Sequence, residues 1–93
     1  MEIISHTYEE IIDPTGILEG KRYEFFLSIE VDEDDEIYSE NGLFIRAIIS
    51  QLNEEIKVAQ AYFVERDSEK VLDFSLEDDE IEMVQEYCQN KLN

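Results

Sequence analysis

Lys21-Arg22-Tyr23-Glu24-Phe25-Phe26-Leu27-Ser28-Ile29-Glu30-Val31 is the stretch that decides the fold. Tyr23, Phe25, Leu27, Ile29 and Val31 are apolar at every second position, and they alternate with Glu24, Phe26, Ser28, Glu30 and Asp32. Successive side chains of an extended chain point to opposite faces, so this period of two predicts a half-buried β-strand. Phe25 and Leu27 belong to the core, and Glu24 and Glu30 are expected to be exposed or paired on the other face. Toward the N-terminus, Glu2 to Asp13 reads as a first strand with Ile4, His6 and Tyr8 on one face. The two strands are separated by Asp13-Pro14-Thr15-Gly16, where proline presets one turn dihedral and glycine accepts positive φ. Ile17 and Leu18, between Gly16 and Gly20, are expected to fold back onto the core.

Toward the C-terminus, Leu43-Phe44-Ile45-Arg46-Ala47-Ile48-Ile49 begins a third strand, apolar on nearly both sides. Such a strand is expected at the centre of a sheet covered on both faces. Ile56 to Glu65 forms a fourth, with Ile56, Val58, Tyr62 and Val64 on one face, and Val71-Leu72-Asp73-Phe74 starts a fifth. At Ser75 the period changes. Ser75-Leu76-Glu77-Asp78 has the spacing of a capping box, with Ser75 as N-cap and Asp78 three positions on. Ile81, Val84, Cys88 and Leu92 then share one helical stripe, with Tyr87 beside it. The predicted architecture over residues 1–93 is one α+β domain: an antiparallel meander of about five strands with a C-terminal helix packed on one face.

The composition limits what such a domain can do. The chain has 93 residues, with 25 Asp plus Glu against 7 Lys plus Arg, a formal charge of −18 at pH 7. Direct contact with nucleic acid needs Lys and Arg against phosphate, and an anionic membrane surface repels the chain for the same reason. Five Tyr, five Phe and a regular apolar pattern distinguish it from disordered acidic chains. The one cysteine, Cys88, excludes an internal disulfide. The N-terminus lacks the basic and apolar regions of a signal peptide, so a cytoplasmic protein is expected.

Several words in the sequence point to a family. Asp13-Pro14-Thr15-Gly16-Ile17-Leu18, Gly20-Lys21-Arg22-Tyr23-Glu24-Phe25 and Glu36-Ile37-Tyr38-Ser39-Glu40-Asn41-Gly42 resemble a family of small acidic proteins of unknown function from spore-forming Gram-positive bacteria. So does Val71-Leu72-Asp73-Phe74-Ser75-Leu76 followed by an acidic helix that contains Cys88. Some members carry a pullulanase label, which does not fit a chain too short for a large barrel domain. The resemblance implies a stand-alone bacterial protein and supplies no catalytic residues.

Catalytic constellations are weak. Asp32, Asp34 and Glu36 offer hard oxygen ligands for Ca²⁺ or Mg²⁺, but an EF-hand alignment puts Ile37 where glycine is needed and Leu43 where glutamate is needed. A solvated loop without a metal site is the expectation. His6 is the only histidine and is read as a partly buried packing residue; none of the serines lies in a nucleophile motif. Carboxylates are so abundant that a pair at glycosidase separation carries no information. Cys88, on the apolar stripe, is expected to be buried and inert, its thiol pKa raised by Glu82 and Glu86. No cofactor motif is present.

The charge itself is the more informative feature, because −18 exceeds the roughly 2–8 units that keep a small domain dispersed. The sequence therefore predicts a non-catalytic adaptor or regulator that binds a basic protein surface through Asp32, Glu33, Asp34, Asp35, Glu36 and Glu40. The alternative is a nucleic-acid mimic that inhibits a DNA- or RNA-binding protein. A homodimer is compatible with either.

Overall fold

The computed structural model describes residues 1–12, 14–16 and 20–92. Four strands, β1 (Glu2–Ile11), β2 (Lys21–Glu30), β3 (Leu43–Leu52) and β4 (Glu55–Glu65), precede one helix, α1 (Asp78–Leu92). They form one antiparallel sheet in the order β1-β2-β3-β4, so every strand pairs with its sequence neighbour. The α+β meander with a C-terminal helix is as expected, with four strands instead of about five. Val71 makes only an isolated bridge to Val64. Leu72 and Leu76 then turn toward the core, drawing the chain off the sheet edge and into the helix. The expected return of Ile17 and Leu18 lies outside the described residues.

β2 follows its period of two: Phe25, Leu27 and Ile29 are buried, and their cross-strand partners Ala47, Ile45 and Leu43 are buried with them. Val84 and Cys88 of α1 close this core from above, with the helix lying chiefly over β4 and β3. The opposite face has no helix against it among the described residues. The two-sided cover expected for β3 is therefore absent, and its apolar sequence has another explanation. Leu43, Ile45, Ala47 and Ile49 fill the core, whereas Phe44, Arg46, Ile48 and Ser50 remain half-buried among neighbouring side chains of the open face.

Two bulges rearrange the predicted faces. Ile3 opposes Ile29 and Ser5 opposes Ser28, so Ile4 is an extra residue in β1. Ile3 takes the core position expected of Ile4, which is 55% exposed, while His6 and Tyr8 stay on the helix side. In β4, Val58 opposes Ile49 and Gln60 opposes Ile48, which makes Ala59 the extra residue. Ile56 and Val58 consequently face the helix, but Tyr62 and Val64 lie on the open face and Phe63 replaces them in the core. A bulge adds one residue to one strand only, and it shifts the alternation by one for everything beyond it.

Gly20 is fixed by close approach. Its φ is +72°, and a Cβ there would collide with the Gln51 backbone oxygen. The start of α1 is also displaced from its predicted place. Ile81 N donates to Glu77 O, and Glu77 N donates to a Glu80 carboxylate oxygen at 2.9 Å. Glu77 and Glu80 thus occupy the N-cap and N3 places assigned to Ser75 and Asp78, two residues later than expected. Asp78, Asp79 and Glu80 put carboxylates in the first turn, and Lys91 stands in the last, both favourable to the helix dipole.

Candidate functional site

The connection from β2 to β3 carries the acidic run, and its backbone folds on itself. Asp35 N donates to Asp32 O at 2.9 Å, Tyr38 N to Asp35 O at 3.0 Å and Gly42 N to Ser39 O at 3.1 Å. The Asp35 carboxylate accepts from Ile37 N at 3.1 Å, an Asx-type turn that lets a short acidic side chain order its own loop. Ile37 is buried in the core cluster and anchors the loop at its middle. Asp32, Glu33, Asp34, Asp35, Glu36 and Glu40 are all exposed around that anchor. The far end of the loop is tied to the β4 hairpin, because Arg66 N donates to Gly42 O at 3.0 Å and Ser39 Oγ lies 3.4 Å from Glu65 Oε2.

The register brings two more carboxylates to this end of the sheet. Glu2 opposes Glu30 across β1 and β2, and both are exposed. Met1, Glu2, Glu30, Val31, Asp32 and Glu33 line one shallow depression of about 400 Å³. The charge run from Asp32 to Glu36 does not itself include Glu2 and Glu30. The meander held the clue, since antiparallel neighbours bring the start of one strand beside the end of the next. The ion pairs among the described residues are Arg46–Glu24 and Lys57–Glu55, and neither involves this acidic end. No group of three or more His, Cys, Asp or Glu among the described residues has the geometry to hold a metal ion.

The other candidates have structural surroundings. His6 is half-buried, its Nδ1 2.9 Å from the Tyr87 hydroxyl, and this contact ties β1 to α1. Its ring also meets Tyr87 edge-on at 5.5 Å. Cys88 has no exposed surface, and burial pushes its thiol up to about 12. The direction matches expectation, but the cause is desolvation of the thiolate and not the neighbouring Glu82 and Glu86. On the open face Arg46 donates through Nε to Glu24 Oε2 at 2.8 Å, and its guanidinium also reaches the Tyr62 hydroxyl. The Tyr62 hydroxyl and then the Glu24 carboxylate raise the Arg46 pKa, so this guanidinium stays charged. Glu24 is thus paired on the open face, one of the two outcomes its alternation allowed.

No helix among the described residues is long and apolar enough to cross a membrane. Searches of curated proteins and of solved structures give no match. The family comparison does give one, over residues 1–93, and the chain belongs to DUF6509, a family of unknown function.

Proposed function

We propose that this protein is a non-catalytic adaptor or regulator, bacterial and cytoplasmic, that docks on a basic protein surface through its acidic end. One observation supports this reading above all. Asp32, Glu33, Asp34, Asp35, Glu36 and Glu40 are exposed on a loop whose backbone is fixed by its own hydrogen bonds and by buried Ile37. A fixed array of carboxylates loses little conformational freedom on binding, whereas a flexible acidic tail would lose much. Glu2 and Glu30 extend the array onto the sheet. A field of this sign speeds encounter with a basic partner and weakens with salt.

The test is an affinity capture from the native host with the parent chain and with a charge-reversed Glu33→Lys/Asp34→Lys/Glu36→Lys variant, each at low and high salt. A partner recovered by the parent at low salt and lost with the variant supports the reading. Recovery confined to DNA- or RNA-binding proteins would select nucleic-acid mimicry as the form it takes. A partner held equally by the variant would overturn it, as would efficient turnover of a glycan or nucleotide by the pure protein.

A further inference from the structure

The two outer strands of the sheet are finished differently. At the C-terminal end of β4, from Phe63 to Glu65, the outer edge is sealed by its own chain: Glu65 N donates to Lys70 O and Leu72 N to Phe63 O, each at 2.9 Å. Val71 adds its bridge to Val64. Along β1 no described residue pairs with the outer edge, although the strand is ten residues long. Of nine exposed large hydrophobics among the described residues, four lie on β1 or directly after it: Ile4 at 55%, Tyr8 at 43%, Ile11 at 38% and Ile12 at 77%. Proteins guard such an edge with charged side chains, lysine above all, and with proline, bulges or short length. β1 has neither lysine nor proline, its one bulge is at Ile4, and Glu9 and Glu10 are the charged side chains of the regular stretch from Ser5 to Ile11.

We propose that β1 pairs antiparallel with β1 of a second copy about a twofold axis at Tyr8, joining two four-stranded sheets into one of eight. The long regular edge and its exposed apolar side chains fit a second copy of the same strand, and the charges of the strand select the register. Centred on Tyr8, the pairing sets His6 against Glu10 of the second copy, Thr7 against its Glu9 and Ser5 against its Ile11. Each carboxylate then meets a neutral or basic group. His6 Nδ1 is already engaged with Tyr87, which leaves Nε2 as the ring nitrogen available to a carboxylate. The two Tyr8 rings come side by side where α1 leaves them uncovered, each already stacked on its own Phe25 at 4.7 Å. Centres at Glu9 or Glu10 oppose identical carboxylates, and a centre at Thr7 reaches the bulge at Ile4 within three residues. The Tyr8 centre alone uses the whole regular stretch.

This inference does not depend on the acidic end, and salt separates the two. Two copies of charge −18 repel, so dimerisation strengthens as salt shortens the Debye length, whereas docking on a basic partner weakens. Sedimentation of the intact chain over a wide concentration range, at low and high salt, should show a monomer–dimer equilibrium that salt shifts toward dimer. At high salt, where the global charge is screened, Glu10→Lys, at an exposed position, should weaken that dimer roughly tenfold by removing the carboxylate that faces His6 on both sides of the axis. With Cys88 replaced by Ser, Tyr8→Cys should cross-link two copies under mild oxidation and Glu9→Cys should not, because only the central residue meets itself. A chain that stays monomeric at every concentration and salt overturns the inference. So does a dimer indifferent to Glu10→Lys and without the Tyr8→Cys cross-link, which would use another surface. A monomer whose β1 instead takes up a strand from an unrelated protein overturns it as well.

Discussion

Phe25 concentrates the stability of the sheet in one side chain. It has no exposed surface, stacks on Tyr8 and opposes Ala47, so removing its ring leaves a void that small neighbours cannot fill. Phe25→Ala should cost about 3–5 kcal/mol in a denaturant titration, a large share of a small domain's stability. A variant that unfolds with its parent would show the ring to be dispensable. Cys88 provides a second residue-scale test, in pH. Its thiol is raised from 9.0 to about 12 by burial, so the folded state holds the proton more tightly than the unfolded chain does. That contribution is fully present below pH 9.0 and is lost as pH rises toward 12. Melts of parent and Cys88→Ala across this range should converge at high pH, the parent losing more. Parallel curves would mean that the thiol ionises freely.

At the scale of elements, the tightest turn is also the most constrained. Asn53 and Glu54 join β3 to β4 with φ of 52° and 72°, the left-handed pair of a two-residue hairpin. Asparagine tolerates that region, but glutamate has no such excuse. Glu54→Gly should stabilise by about 0.5–1 kcal/mol, the relief of the left-handed strain less the added freedom of the unfolded chain. Glu54→Gln controls for the lost charge; equal gains in both variants would assign the effect to charge alone. The same element shows what the sequence made legible and what it hid. The alternation from Tyr23 to Val31 predicts β2 and its buried residues, because no bulge shifts the period of β2 against β3. β1 and β4 each contain one extra residue, and Ile4 and Ala59 look like any other apolar position in a row. Only pairing with a neighbour's register exposes a bulge, so alternation alone puts Ile4, Tyr62 and Val64 on the wrong face. The capping motif failed for a similar reason: Ser75-Leu76-Glu77-Asp78 has the right spacing, but packing of Leu76 delays the helix to Glu77. For the site, the acidic loop was legible as a charge run. Its joining by Glu2 and Glu30 depended on the register again.

For the whole molecule, like charge is the dominant field. Two ion pairs among the described residues stand against a formal charge of −18, so compaction brings uncompensated carboxylates together. The melting temperature should therefore rise between 0.01 M and 0.15 M salt, as the Debye length falls from ~30 Å to ~8 Å. A melting temperature unchanged or lowered by salt would mean that the carboxylates are favourably placed already. The order of elements has a consequence for synthesis. α1 brings Val84 and Cys88 to the apolar face of the sheet, and it follows all four strands in the chain. Each strand pairs with the one made just before it, so the meander can assemble in the order of synthesis while Phe25, Leu27, Ile45 and Ile49 still await their helix. Chains at that stage would present bare apolar faces to each other, and the acidic residues they carry would hold them apart until the helix docks.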